Sequence, residues 1–297
     1  MLRLATRGSE LALWQARRVG ALLEAAHPGL EVRLVTVTTT GDRRRDVPVW
    51  EMGGRGVFVG EVQAAVLRGD ADVAVHSAKD LQPVTGEGLA LVAVPERADA
   101  RDVLVGSTLG GLPPGSTVAT GSQRRRAQLA HARPDLGFVS LRGNIATRLE
   151  RVPPGGAVVV AKAALDRLGL APSPAQVLGP DLVLPQVSQG AIAVECRQGD
   201  AEVARLLSAV DDAAARAAVE TERAFLATIG GACDLPVAAH AVLKGGEIHL
   251  EALLASPDGK ALVRRGASAP LENRLALGRA VAGEVLAGGG RELLGRV

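Results

Sequence analysis

Up to about residue 200 the chain repeats one pattern: a short apolar run, a polar turn, then a stretch with helical spacing. LRLAT (2–6) opens the series and is followed by a helix over about Ser9–Ala26 that stops near HPG. EVRLVTVTT reads as the second strand and GVFVGEVQAAVLRGD as the second helix. ADVAVHS, STVATGS, GFVSLRG and AVVVAKA then read as short strands, most with a helical pattern after them. Strands separated by helices return in the same direction, so the alternation predicts βαβ units and largely parallel sheets. From about residue 211 the texture changes. DDAAARAAVETERAFLATI is one long helix, and AAHAVLKGGEIHLEALLASPDGKALVRRGAS gives three strands joined at Gly-Gly and Pro-Asp-Gly. Those are hairpin turns, so the last part is a small α+β domain on an antiparallel sheet.

The turns after the early strands carry polar residues of one kind. The first strand ends in Thr6-Arg7-Gly8-Ser9, ADVAV in His76-Ser77-Ala78-Lys79-Asp80, and STVA in Thr120-Gly121-Ser122-Gln123-Arg124-Arg125-Arg126. FVSL ends in Arg142-Gly143-Asn144, with Thr147 and Arg148 a helical turn on. In open α/β sheets ligands bind outside the carboxyl ends of the strands, where helix N-termini favour anions. Any one of these Ser or Thr residues is equally an ordinary helix cap. Four such ends together point to one crevice built for several negative groups. The basic residues are lopsided, with 30 arginines and four lysines. Genome bias accounts for that as well as function does, but arginine's planar fork suits bidentate capture of carboxylate or phosphate.

Other classes are excluded or left without support. At 297 residues there is room for two or three domains of about 100–200 residues each. No run approaches the ~20 apolar residues of a membrane span, and MLRLATRGSELALWQ meets polar residues too early for a signal peptide. Two cysteines far apart in sequence fit a reducing cytoplasm rather than a disulfide framework. Five scattered histidines lack metal-ligand spacing, so no metal is expected. RRRAQLA could meet nucleic acid, but a net charge of +2 and 2% aromatics leave no broad basic face and no stacking platforms. A non-catalytic anion-binding module of the same architecture remains a rival to an enzyme.

Two residues stand apart as chemistry. In IGGACDLP (229–236) Cys233 sits in a small-residue turn; on the residues alone it is as readily a buried small hydrophobe as a reactive thiol. Cys196, inside the apolar run AIAVECRQG, reads as packing. Asp80 lies at a strand end beside Lys79, where a helix cap or an ion pair would account for it as well as catalysis does.

These residues fall in segments that resemble the porphobilinogen deaminase family along essentially the whole chain. The resemblance runs through ATRGSELALWQ, GDRRRDVPVWEMGGRGVF, ADVAVHSAKD, TGSQRRRAQLA, SLRGNIATRL, ALDRLGL, LPQVSQGAIAVECR and ETERAFLATIGGACDLPVA. It implies two periplasmic-binding-protein-like α/β domains around a cleft, each a mixed sheet with helices, plus a small C-terminal α+β domain with a three-stranded antiparallel sheet. The implied domains are 1–95 with 191–210, then 96–190, then 211–297. It further implies a cytoplasmic, monomeric transferase that makes hydroxymethylbilane from four porphobilinogens on a dipyrromethane cofactor, joined by a thioether to Cys233. Asp80 is then the catalytic carboxylate, stabilising the cationic azafulvene left when ammonia departs.

Carried over position by position, Ser77, Lys79, Thr120, Ser122, Arg124, Arg125, Arg142 and Gly143 would hold the cofactor. Arg7, Ser9, Arg148, Arg167, Gln189 and Gly190 would meet the substrate. Porphobilinogen carries an acetate and a propionate, which accounts for arginine at the strand ends. The chain departs from the family at Arg55 and Gly60 in the lid-like segment 42–60, at Gly121 and Gln123, and at Asp234 and Leu235.

Overall fold

The computed structural model describes residues 1–40, 59–230 and 235–295. Cys233 and its neighbours Gly231, Ala232 and Asp234 lie outside the described residues, as does Arg55 with most of the lid-like segment. The chain divides into two compact units, 1–98 with 191–216 and 99–190 with 217–297.

The first unit begins with β1 (Leu2–Arg7), α1 (Glu10–Ala26), β2 (Val32–Val37), α2 (Gly60–Leu67) and β3 (Val73–Ser77). A 3-10 turn (Ala78–Asp80) leads on to β4 (Leu89–Ala93). The second unit opens with β5 (Asp102–Val105) and β6 (Thr117–Ala119), then α3 (Gln123–Ala132), β7 (Gly137–Val139) and α4 (Ile145–Leu149). It continues through β8 (Ala157–Ala161), α5 (Lys162–Arg167) and β9 (Ala175–Leu178). The chain then re-enters the first unit as β10 (Ile192–Arg197) and α6 (Ala201–Ser208). It leaves again through α7 (Ala213–Ile229) for β11 (Val237–Lys244), β12 (Glu247–Ala255), β13 (Leu262–Pro270) and α8 (Arg274–Val285).

Among the described residues the two five-stranded sheets follow one plan, β2-β1-β3-β10-β4 and β7-β6-β8-β5-β9. The first three strands of each are parallel. The fourth runs against both its neighbours. The sheets are therefore mixed, as the family resemblance implies, which corrects the reading of largely parallel sheets from local alternation. Each antiparallel strand, β5 or β10, is the first after the chain passes from one unit to the other. No local strand–helix–strand crossover sets its direction, so the pattern around it carries no sign of the reversal. The fold class is otherwise as expected: two α/β sheets and a C-terminal three-stranded antiparallel sheet, β11-β12-β13.

Period-two alternation decides which face of each strand meets which helix. In the first sheet Leu2, Leu4, Val73, Val75, Ile192 and Val194 pack on Ala16, Val19 and Leu23 of α1. The intervening Ala5 and Ala74 pack on Val62, Ala65 and Val66 of α2. A sheet covered on both faces has no polar side, hence the nearly continuous apolar runs. In the C-terminal sheet Gly245 and Gly246, at φ 61° and 84°, make the β11–β12 turn, a conformation that favours glycine at both central positions. Phe225 and Ile229 of α7 and Val281 and Val285 of α8 cover one face of that sheet. Its second hairpin turn touches α3. His131 Nδ1 lies 2.9 Å from the Gly259 carbonyl oxygen, and a Cβ on Gly259 would come within 2.4 Å of the Ala127 carbonyl oxygen.

Candidate active site

In the first unit the parallel register of β1 and β3 (Ala5 opposite Ala74) brings the turns after both strands to one sheet edge. That places Arg7, Ser9, Ser77, Lys79 and Asp80 along it. Ser9 caps α1, its hydroxyl accepting from Ala12 N at 3.3 Å, so the plainer reading of this serine holds as well. Ser77 is tied to Gln15, a buried residue of α1, by contacts of 2.9 and 3.1 Å between hydroxyl and amide. Ala78 N donates to Ala191 O at 3.0 Å, which anchors the 3-10 turn ending at Asp80 to the chain entering β10. Beneath this turn His76 Nε2 lies 3.3 Å from Glu195 Oε2, which accepts from Gln63 Nε2 at 2.8 Å. Asp80 itself is half-buried. Among the described residues no hydrogen bond or ion pair takes up its carboxylate, and it caps no helix.

In the second unit β7, β6 and β8 end side by side. Thr120 N donates to Val139 O at 2.9 Å, Thr120 Oγ1 accepts from Ser122 N, and Ser122 caps α3 through Arg125 N. Gly121 closes this turn against the next one: a Cβ there would lie 2.7 Å from the Leu141 carbonyl oxygen. The departure at Gly121 thus has a steric reason. Arg142 and Gly143 follow β7, Gly143 at φ 118°, and Arg148 Nε donates to the Gly143 carbonyl at 2.9 Å.

Three of the remaining expected residues meet in one buried network, and two more pair beside it. Arg124 and Arg125 are 3% and 5% exposed, and both point at Asp102, the first residue of β5. Asp102 Oδ2 accepts from Arg124 Nη2 at 2.7 Å. Its Oδ1 accepts from Arg125 Nη2 at 2.7 Å and Nε at 3.1 Å, and from Gln189 Nε2 at 2.8 Å. Arg124 also donates to Leu184 O, Arg125 to Val159 O, and Gln189 to Ala100 O. Arg167 Nη2 donates to Gly190 O at 2.7 Å.

Burial alone would raise the Asp102 carboxyl, but the two guanidinium charges and their hydrogen bonds hold it well below the usual carboxylate range. Burial pulls Arg124 down, with Asp102 opposing, and lowers Arg167 to about 10 against the charge of Asp166. Ser188, next to Gln189, is a non-glycine residue at positive φ (61°), and its N–H donates to the buried Glu222 of α7 at 2.5 Å. A second oxygen of Glu222 accepts from Ala241 N on β11 at 2.7 Å.

Asp102, Glu222 and Glu195 escaped the sequence reading. A charge opening the otherwise apolar run DVLV was the available sign for Asp102. Glu195, inside the apolar run AIAVECRQG, carried the same sign, whereas Glu222 looks like an ordinary helix-surface charge in its local context.

Comparison with known proteins fits this layout. One family model, described as "Porphobilinogen deaminase, dipyromethane cofactor binding domain", matches residues 2–205. A second, "Porphobilinogen deaminase, C-terminal domain", matches residues 216–287. The porphobilinogen deaminase of Roseiflexus castenholzii is 47% identical over 298 residues, covering 99% of this chain and 98% of its own. That of Pelobacter propionicus is 43% identical over 300 residues, covering 100% and 97%. Among solved structures, a nutrient binding protein from Burkholderia cenocepacia bound to methionine aligns with 70% of this chain and 90% of its own. Its TM-score is 0.43 at 13% identity, a likeness that carries no argument.

Proposed function

The chain belongs to the porphobilinogen deaminase family, and on that premise we propose how its residues divide the work. The reaction deaminates four porphobilinogens, joins them head to tail on a dipyrromethane cofactor, and releases hydroxymethylbilane by hydrolysis, a transferase step of tetrapyrrole biosynthesis. The described residues suit such a group: strand-end arginines, hydroxyls at helix N-termini, and a buried Arg124 Nε that meets no acceptor among the described residues. When bound, the cofactor supplies the carbon to which the first substrate ring is joined.

We propose Cys233 as its attachment point. Cys196 is unsuited: it is 1% exposed in the core of β10, and burial pushes its thiol up, away from the reactive thiolate. Ser77, Lys79, Thr120, Ser122, Arg124, Arg125, Arg142 and Gly143 are assigned to the cofactor and Arg7, Ser9 and Arg148 to porphobilinogen carboxylates, with Arg167, Gln189 and Gly190 completing the walls of the substrate site. Charge-assisted hydrogen bonds of this kind are roughly twice as strong as neutral ones. Residues 211–297 are assigned to a domain of their own that carries Cys233.

Asp80 is the catalytic group. The observation that carries this is its carboxylate at the end of β3, on a turn fixed by Ala78 N, with its charge not taken up by any described partner. Set against a pyrrole N–H, it stabilises positive charge that develops only as ammonia leaves the substrate, and it can relay the proton. Asp80→Asn keeps the shape and removes the charge. It should fold, keep its covalent adduct by intact-protein mass, and lose about 10²–10³-fold in kcat with little change in KM. Retention of more than about a tenth of wild-type kcat, a barrier change under ~1.4 kcal/mol, would sink the assignment.

A further inference from the structure

We propose that Asp102 is a positioning residue for cofactor capture, acting through Arg124 and Arg125 without touching ligand itself. The inference rests on the reading above in which those two arginines receive carboxylates.

Arg124 and Arg125 are consecutive in the first turn of α3, so their side chains leave the helix about 100° apart. Nothing local would bring their forks together. Asp102 does so by dividing its oxygens, Oδ2 to Arg124 and Oδ1 to Arg125. It also answers their charge: two guanidinium groups at 3% and 5% exposure would be costly without a counter-ion in the same dry space. Two cations and one anion leave a net single positive charge on a rigid pair of forks.

The anchor is itself braced. Gln189 Nε2 bridges Asp102 Oδ1 and Ala100 O, and Gln128 Nε2 donates at 3.2 Å to the Leu184 carbonyl that also receives Arg124. Both Nη nitrogens of each fork, and Arg125 Nε, are thereby engaged by Asp102, Leu184 O and Val159 O. Arg124 Nε still meets no acceptor among the described residues, so the pair keeps a donor to give. Forks held in place before the ligand arrives lose less freedom on binding it than loose ones do. Asp102 is thus a device for preorganising carboxylate capture.

The test uses the holoenzyme and the variants Asp102→Asn and Asp102→Glu, with Arg124→Gln and Arg125→Gln as references. Three quantities are read: the fraction of protein carrying the two-pyrrole adduct by intact mass, kcat and KM per mole of cofactor, and the unfolding midpoint. Asp102→Asn should lower the loaded fraction, and its loaded molecules should turn over about tenfold more slowly per cofactor, as expected for weakened charge-assisted hydrogen bonds. KM should hardly move, and Asp102→Glu should recover part of both losses. A purely structural role would lower the midpoint yet leave kcat per cofactor at the wild-type value, and that result overturns the proposal. If Asp102→Asn does not fold, Asp102→Glu decides: wild-type loading and turnover in that variant overturns the proposal, and reduced loading in a folded protein supports it. If the arginine variants are impaired and Asp102→Asn is not, the proposal alone falls. If both arginine variants load and turn over as wild type, the underlying reading falls and takes the proposal with it.

Discussion

At the carboxyl edge of the first sheet the polar residues stay half-buried, and Asp80 keeps its charge uncommitted among described partners. At the same edge of the second sheet Arg124, Arg125 and Asp102 are sunk below 6% exposure and bonded to one another. The two sheets share a strand plan, so topology does not make the difference. The difference matches two kinds of electrostatic work. A group that answers charge appearing only in the transition state must not be neutralised beforehand. A group that holds carboxylates present throughout the reaction gains from being fixed in advance.

The largest effect should come from removing the proposed attachment point of the cofactor. Cys233→Ser should give protein with no pyrrole adduct and almost no activity, whereas Cys196→Ser should keep both. An adduct that follows Cys196 in intact-mass spectra would break the assignment at its root. The contrast is next sharpened by setting Asp80→Asn, which should act on kcat, against Arg142→Leu. Losing a charge-assisted contact to a carboxylate should cost Arg142→Leu about 10–100-fold in kcat/KM. It should also stall elongation partway, seen as a shifted distribution of protein-bound pyrrole units. If Arg142→Leu changes only kcat, as Asp80→Asn should, the division between the two edges is wrong.

A smaller effect is expected in acid. The Asp102 carboxyl is held low in the folded protein, so its contribution to stability is complete above the unfolded value of about 3.9 and fades as pH drops through the lower folded value. Wild-type unfolding midpoints should be level from about pH 7 to 5 with respect to this group and fall below about pH 4. Asp102→Asn, lacking the group, should show a shallower acid fall; identical slopes would mean the buried pair is not responsible. Smallest of all is Ser188→Gly. The residue stands at φ 61° with a buried hydroxyl that has no hydrogen-bond partner among the described residues, so glycine relieves backbone strain and forfeits none of the bonds seen there. After the entropy that glycine adds to the unfolded chain, a gain of roughly 0.5 kcal/mol should remain, raising the midpoint by about 1–2 °C. A drop in midpoint would show that the hydroxyl contributes in place.

Much of this layout could be read from the chain. Strands, their order in sequence and the polar turns at their ends follow from local periodicity and composition, because a strand buried on both faces must be apolar and a turn must not. Ser9 and Ser122 were recognisable as helix starts for the same reason, since a cap needs only residues three positions away. Asp102 was not recognisable as the centre of a network, because its partners at 124, 125 and 189 are far along the chain. Nothing near Arg124 or Arg125 signals that their forks would be turned inward. The reversal of β5 and β10 escaped local periodicity for a related reason: strand direction belongs to where the chain has come from, and hydrophobic spacing does not encode it.

The position of β10 also bears on how the protein is made. It lies between β3 and β4, opposing Ser77 with Ile192, yet β4 ends at Ala93 and β10 begins at Ile192. On the ribosome β3 therefore waits with its inner edge unpaired while about a hundred more residues are added. At ~5–20 residues per second that is on the order of ten seconds. During that interval the strand leading to Asp80 is an open template for other chains. The turn that ends at Asp80 is thus among the last parts of the first unit to be secured.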